Sequence, residues 1–276
     1  MRWLQFILSH SIFISLCAAA LCWQAFILLN LRVDYFICSL VFFATLSSYN
    51  FYWLISKYHF SDKKNMAGFL GKHFSNVFFF LLAALGLLVC LFVRPQLLPA
   101  IGISVLLTLL YSIPLWPVKK LIFTRKVGFL KTVLLAFTWT YVTVIIPAQQ
   151  IIFISSISVT LLFTARFLFM LMLCIIFDSR DITVDKIHSL RSLATDVSQQ
   201  TLSVIIGIVF TCYLATGFLL RYYFDDTAQL VAFFITGFVT LLVYRLSLKK
   251  QGYFFYYFLV DGLMLFSAVA TFVASI

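Results

Sequence analysis

The sequence contains no glutamate, and charged residues make up only 11% of its 276 positions. Soluble domains carry about 25% charged residues, so this shortage excludes an ordinary soluble protein. The hydrophobic content of 63% and the mean hydropathy of +1.08 agree with that exclusion. The chain also lacks a hydrophilic segment, a linker or a low-complexity tract. We therefore predict a single membrane-embedded domain over residues 1–276.

Two further absences narrow the possibilities. None of the six cysteines forms a C-x-x-C pair, and all lie in or at the end of apolar segments. We interpret them as small buried or lipid-facing side chains. The amino terminus lacks a small-x-small cleavage site, and its apolar run exceeds that of a signal peptide. The first apolar segment is therefore interpreted as a retained span.

The apolar segments are about twenty residues long, which is the length that crosses about 30 Å of hydrocarbon. They predict an all-α, polytopic membrane protein with nine transmembrane helices. The predicted spans are residues 10–31, 35–56, 74–93, 97–116, 129–147, 151–177, 201–220, 228–247 and 253–274.

The basic residues are distributed unevenly around these spans. Of the twenty lysines and arginines, sixteen flank the spans on one side, and only Arg32, Arg94 and Arg221 flank them on the other. This bias predicts a cytoplasmic amino terminus and cytoplasmic long loops, in an integral, multi-pass protein of a bacterial inner membrane. The net charge of +11 thus reflects membrane topology, and we expect no nucleic-acid partner.

The predicted spans contain few ionisable residues, and Arg166 and Asp261 are the two clear cases. Intramembrane charge is costly and often functional, although packing against polar neighbours inside the bundle is the structural alternative. For Arg166, in the middle of its span, we expect a buried partner. Both interpretations remain open for Asp261.

Acidic residues collect directly after the sixth span, in "FDSRDITVDKIHSLRSLAT". Asp178, Asp181 and Asp185 have offsets of 3 and 7, which place them on one stripe of a helix. Like charges so arranged favour a bound cation, and oxygen ligands favour Mg²⁺ or Ca²⁺. The interleaved Arg180 and Arg191 can contact phosphate oxygens. The pattern suits an amphiphile with a diphosphate head, while a solvated, salt-bridged loop is the alternative on spacing alone.

The same stretch resembles the second aspartate-rich motif of the UbiA-type intramembrane prenyltransferases, approximately D-x-x-D-x-x-x-D followed by G-x-[KR]-T-L. The three aspartates match, Arg180 stands at the common basic position, and Arg191 matches the later basic position. Ser189 stands where the family pattern usually has glycine.

A second stretch, "LLYSIPLWPVKK" at the end of the fourth span, resembles the family's Tyr-Ser-x-Pro-Leu with a following lysine. Tyr111 and Ser112 match, and Lys119 or Lys120 stands at the basic position. The resemblance extends over the whole chain and implies a UbiA-like bundle with a lipid-accessible cavity open to the cytoplasm.

The resemblance also implies a function, which is transfer of a prenyl group from an isoprenoid diphosphate to a small hydrophobic acceptor, with Mg²⁺ as cofactor. Asp178, Asp181 and Asp185 would hold the metal, and Asp181 or Asp185 would act as a base only if not committed to it. Asn50 would orient a water or the metal shell. The implied substrate-binding residues are Asn50, Lys57, Tyr111, Ser112, Lys119, Arg180 and Arg191.

The first motif of that family, roughly N-[DQ]-x-x-D-x-x-x-D at the end of span two, is incomplete here. Asn50 is in place, but Leu54 and Tyr58 occupy the aspartate positions. Three explanations are open: lysines such as Lys57 replace one Mg²⁺, Asp62 takes over, or catalysis has been lost and the protein binds an isoprenoid. A terpene cyclase on the same scaffold is a further alternative, and a transporter is less favoured because polar groups do not continue across the bundle.

Overall fold

The computed structural model describes residues 2–59, 66–112, 128–149, 156–187, 193–224 and 227–276, and the regular structure in these ranges is helical without a β-strand. The predicted all-α class is confirmed. The helices are α1 (Arg2–Ser9), α2 (Ile12–Leu28), α3 (Tyr35–His59), α4 (Met66–Lys72), α5 (Phe74–Val93), α6 (Leu98–Ser112), α7 (Gly128–Thr140, continuing through a π-helical turn Tyr141–Ile145 into Ile146–Ala148), α8 (Ser156–Ile187), α9 (Leu193–Asp196), α10 (Gln199–Phe224), α11 (Thr227–Ser247) and α12 (a π-helical segment Phe255–Val260 continuing as Asp261–Ala274).

The polytopic prediction is confirmed, but the count of nine spans is not. Within the described ranges, seven helices (α3, α5, α7, α8, α10, α11 and α12) are long and apolar enough to cross a membrane. The pair α1 and α2 would make an eighth, although it is bent by 70°. The 15 residues of α6 rise only about 22 Å, and the rest of the predicted fourth span lies outside the described residues.

The long helices pack in an order that closes on itself. Neighbouring pairs are α2 with α3, α3 with α5, α6 with α7, α7 with α8, α8 with α10, α10 with α11, α11 with α12, and α12 with α2. A short 3-10 turn, Pro95–Leu97, connects α5 to α6. The spans therefore form a ring around a shared interior.

At one end of this ring, α7 extends across the interior and contacts α2. The later part of α7, Tyr141–Ala148, packs against α2 as well as against α8, whereas the earlier part, Gly128–Thr140, packs on its ring neighbours α6 and α8. We call this the bridged end, which also includes the connection 29–34. The opposite end, where α8 finishes at Ile187, is called the motif end.

The outer surface of the ring is strongly apolar. Large hydrophobic side chains on α5 and α10 face outwards, with Phe92 90% exposed and Tyr222 83% exposed. In water, such surface would favour association or aggregation, whereas in lipid it costs nothing. The exposed side chains support placement in a membrane independently of hydropathy.

At the bridged end, a salt bridge joins Asp34 to Arg94 and so ties the start of α3 to the end of α5. The backbone N–H groups of Phe36 and Ile37 also donate to the Asp34 carboxylate, at 2.9 and 3.3 Å. Burial raises the pKa of Asp34, but Arg94 and these N–H donors outweigh it, so its pKa is lower than usual. Asp34 is thus held in the ionised form that caps α3.

Gly86 allows α5 to approach α3 closely. A Cβ added to Gly86 would lie 2.8 Å from ring atoms of Phe43, whereas a Cβ at Gly102 on α6 would meet no atom within 4 Å. Gly86→Ala is therefore expected to be less stable than Gly102→Ala by about 1–3 kcal/mol, the usual cost of overpacking. Both variants share the helix-propensity gain of alanine, about 1 kcal/mol.

Thermal unfolding of both variants in the same detergent measures this difference. Equal midpoints for Gly86→Ala and Gly102→Ala would contradict the close approach of α3 and α5.

Candidate functional site

The aspartate motif lies on a helix, not on a loop. α8 ends at Ile187, ten residues beyond the predicted end of the span at residue 177. Asp178, Asp181 and Asp185 therefore belong to one continuous helix, and their offsets of 3 and 7 place them on one face of it. The side chains of Asp181 and Asp185 lie outside the described part of the structure.

Thr132 of α7 anchors the first aspartate. Its hydroxyl donates a hydrogen bond to the Asp178 carboxylate and accepts one, at 3.4 Å, from the backbone N–H of Leu193 at the start of α9. Thr132 itself is buried, with 1% of its surface exposed. One hydroxyl thus connects α7, α8 and α9, and it fixes both ends of the segment that carries the rest of the motif.

Arg180 points away from the aspartates. A two-residue offset rotates a side chain by about 200° around a helix, so Arg180 faces α12 while Asp178 faces α7. Its guanidinium lies over three aromatic rings, those of Phe177, Tyr256 and Tyr257, at 5.2, 5.2 and 4.9 Å. Cation–π contacts with α12 hold the Arg180 side chain on this side of α8, and its contact with a phosphate oxygen stays a prediction.

Asp261 directly follows the π-helical segment of α12 and is only 3% exposed. It lies within electrostatic range of Arg180, and of Tyr49 and Cys174 on the facing helices α3 and α8. Its Oδ1 atom has no hydrogen-bond partner among the described residues. Cys174, one turn before Asp178, interacts electrostatically with both acids, so Asp261 lies near the start of the motif.

Asn50 lies at the bend between α1 and α2. It is fully buried, and its side-chain amide donates to the carbonyls of His10 and Leu46, at 3.1 and 2.9 Å. Its Oδ1 atom has no hydrogen-bond partner in the ranges that the structure describes. The amide therefore stabilises the start of the bundle, and the oxygen is the part of this side chain left for a ligand.

The aromatic residues around Asn50 diverge. Tyr49 packs edge-on against Trp139 of α7, with ring centroids 6.0 Å apart, and so faces the shared interior. Trp53 instead packs against His73, which directly precedes α5, at 5.1 Å, and the Lys57 ammonium lies 5.8 Å from the Trp53 ring. Of these two aromatic residues, Tyr49 faces the interior and Trp53 does not.

The environment of His73 is basic. Burial, together with the charges of Lys72 and Lys57, lowers the pKa of His73 below its usual value. Lys57 is exposed. This group of side chains lies at the motif end, where Leu54 and Tyr58 replace the acids of the related pattern. It is a positively charged surface formed by the end of α3 and the start of α5.

Several predicted site residues lie outside the part of the chain that the structure describes. Three of them are wholly outside it: Asp62, Lys119 and Arg191. Tyr111 and Ser112 form the end of α6, but the description does not include their side chains.

The donor set fits one hard cation better than two. Carboxylate oxygens at three positions on one helix face are suitable ligands for Mg²⁺, whereas Leu54 and Tyr58 offer no carboxylate for a second ion. Among the described side chains there is no cluster of three metal-ligating groups.

Sequence reasoning missed Thr132 and the tyrosines of α12. Thr132 is one of several threonines in α7, and no local pattern distinguishes it. The partners of Arg180 lie more than seventy positions later in the chain, at Tyr256 and Tyr257. Only their aromatic character, next to the charge of Asp261, could have drawn attention to them.

Comparison with solved structures identifies the architecture. The chain superposes on the apo structure of a UbiA homolog from Aeropyrum pernix K1, covering 94% of this chain and 96% of that one, with a TM-score of 0.66 and 12% identity. It also superposes on a structure described in a study of digeranylgeranylglyceryl phosphate synthase in membranes, with coverage of 100% and 99%, a TM-score of 0.59 and 14% identity. No family model matches the sequence, and no curated protein matches it. The chain therefore has the UbiA-type prenyltransferase fold over its whole length, as the resemblance implied.

The Thr132 hydroxyl is expected to contribute measurably to stability. Thr132→Val keeps the shape of the side chain but leaves the Asp178 carboxylate without this donor and the Leu193 N–H without its acceptor. We expect a loss of about 1–3 kcal/mol, measured by thermal unfolding in detergent, and near-normal stability for Thr132→Ser.

Thr138→Val is the matched control, because the Thr138 hydroxyl bonds to the Leu134 carbonyl of its own helix and to no other helix among the described residues. If Thr132→Val were as stable as Thr132→Ser, the proposed anchor would be wrong.

Proposed function

We propose that this protein transfers a prenyl group from an isoprenoid diphosphate to a small hydrophobic acceptor within the membrane. The observation that carries the proposal is the position of the aspartate helix. In a chain with the UbiA-type fold, Asp178, Asp181 and Asp185 share one face of α8 at the motif end, and Thr132 fixes Asp178.

We assign the metal site to these three aspartates, with Mg²⁺ as the ion. When bound, Mg²⁺ would neutralise the diphosphate oxygens as negative charge builds up on them. Lys57, Lys119 and Arg191 would bind phosphate oxygens. Tyr111, Ser112 and the side-chain oxygen of Asn50 would complete the polar lining of this headgroup site.

The reaction begins when the bond between the allylic carbon and the diphosphate oxygen breaks and the electron pair leaves with the diphosphate. An electron-rich atom of the acceptor then bonds to the allylic carbon, and the acceptor loses a proton. Tyr49 and Trp139, which face the interior, would line the path of the prenyl chain and stabilise positive charge through their rings. A motif aspartate would accept the proton only if not committed to the metal.

We assign Arg180 a positioning role. Its guanidinium holds α8 against the aromatic segment of α12, which fixes the rotation of α8 and hence the direction in which the aspartates point. The buried Asp261 lies within electrostatic range of Arg180 and favours that placement.

We further propose that the motif end faces the cytoplasm. The support is the uneven distribution of basic residues, since Lys57, Lys72, Lys131, Arg180 and Arg245 all lie at the motif end of their helices. A bacterial inner membrane would suit this orientation.

Non-catalytic isoprenoid binding is the second candidate, and one observation favours it. The amide of Asn50 is committed to the His10 and Leu46 carbonyls, and Leu54 and Tyr58 provide no carboxylates. A terpene cyclase would share the ionisation step but would need no acceptor, so product analysis distinguishes it from a transferase.

Release of diphosphate from a panel of isoprenoid diphosphates tests the catalytic proposal. Purified protein is expected to release diphosphate in the presence of Mg²⁺ and not in the presence of a chelator. Asp181→Asn should reduce release to background, because one of three metal ligands is lost.

Asp196→Asn is the control, since Asp196 is an exposed aspartate on α9, outside the motif. Absence of release from every donor, with isoprenoid still bound to the purified protein, would reject catalysis and favour the binding protein.

A further inference from the structure

A second polar site lies at the bridged end, away from the aspartate helix. Arg166 of α8 is only 4% exposed, and it precedes Asp178 by twelve residues, or about 18 Å along the helix. Its Nη2 atom donates to the Gln24 side-chain oxygen at 2.7 Å, and Gln24 in turn donates to Thr271 of α12, also at 2.7 Å. Arg166 is therefore fixed in place by α2 and α12.

The positive charge of Arg166 has no acidic partner among the described residues. Its Nη1 atom is buried and has no hydrogen-bond partner within those residues. The other buried ionisable residue of the spans, Asp261, lies within range of Arg180 instead. An uncompensated guanidinium is costly in the bundle interior, so the site favours a bound anion.

Two neighbouring cavities lie between Arg166 and the surface. A small cavity of about 10 Å³, room for a single water, is lined by Arg166, Gln24, Tyr213 and Ser267 together with apolar residues. A larger cavity of about 370 Å³ opens at the bridged end. Leu28 and Phe233 line both and form the partition between them.

The larger cavity combines positive charge with apolar walls. Arg221 lies at its surface side with Asn30 and Ser275, and Leu220 and Leu230 are among its apolar lining residues. Among the described residues that line the two cavities, the charged side chains are those of Arg166 and Arg221. The volume suits a headgroup with the first part of its chains.

We propose that this cavity binds the phosphate group of an anionic membrane lipid in the leaflet at the bridged end. Arg221 contacts the phosphate directly, and Arg166 attracts it through the partition, where the low dielectric strengthens the interaction. The acyl chains lie against the apolar residues between α2, α10 and α11. The site is separate from the diphosphate site and does not depend on catalysis.

Lipid binding to the purified full-length protein tests the proposal, with native mass spectrometry as the readout. The probes are phosphatidylglycerol, zwitterionic phosphatidylcholine and inorganic phosphate. We expect phosphatidylglycerol to bind at least about tenfold more tightly than the other two probes. The choline ammonium of phosphatidylcholine offsets the phosphate charge next to the two arginines, and inorganic phosphate has no acyl chains to pack against the apolar walls.

Two variants remove the site in different ways. Arg221→Gln removes the charge at the surface, and Gly217→Leu fills the cavity that Gly217 lines. Both are expected to weaken phosphatidylglycerol binding about tenfold or more. Their controls are Arg245→Gln and Gly207→Leu. Arg245 is an exposed arginine at the motif end of α11. Gly207 is on α10, and an added Cβ there meets no atom within 4 Å.

Three results would overturn the proposal. Equal phosphatidylglycerol binding by all four variants would show that the lipid does not occupy this cavity. Equal affinity for phosphatidylcholine would show that the net charge of the lipid does not contribute to binding. Equal affinity for inorganic phosphate would identify a free-anion site and not a lipid site. Arg166→Gln adds to the test where that variant folds, but the test does not depend on it.

Discussion

A charged group within hydrocarbon is tolerated only where protein surrounds it, and this constraint organises the interior of the bundle. Arg166 is held by Gln24, and Gln24 is held by the Ser267 and Thr271 hydroxyls. These bonds join α8, α2 and α12, which meet around the interior of the ring. Nearer the motif end, Arg180 and the aromatic rings of α12 join two of the same helices again. The position of the aspartate face therefore depends on contacts made well inside the membrane.

The sequence predicts the helices better than it predicts their ends and neighbours. Apolar runs locate the spans because lipid selects for hydrophobic side chains. The end of an apolar run marks the edge of the hydrocarbon layer, but the helix can continue beyond it. For this reason α8 extends ten residues beyond the predicted span, through Asp178 and on to Ile187. Spacing correctly predicts that the aspartates share a face. It cannot predict that Thr132, forty-six residues earlier in the chain, supplies the anchor.

The incomplete first motif acquires a physical explanation from the packing of α3. Neighbouring residues of this helix serve different surfaces, with Tyr49 facing α7, Asn50 facing the α1–α2 bend and Trp53 facing His73. These packed positions leave little of the inner end of α3 for carboxylate side chains. The charged side chain at that end of α3 is Lys57, which is positive.

The π-helical segment Phe255–Val260 has a consequence for how this chain tolerates insertions. A π turn takes up one residue more than an α turn, whereas an extra residue in a regular α-helix would rotate everything after it by about 100°. Here the wide turn absorbs the residue locally. The tyrosines within it and Asp261 after it can both face inwards, although their numbering does not fit one α-helical face. In α12 the extra residue is thus taken up within one turn, and the α-helical register is preserved on either side of it.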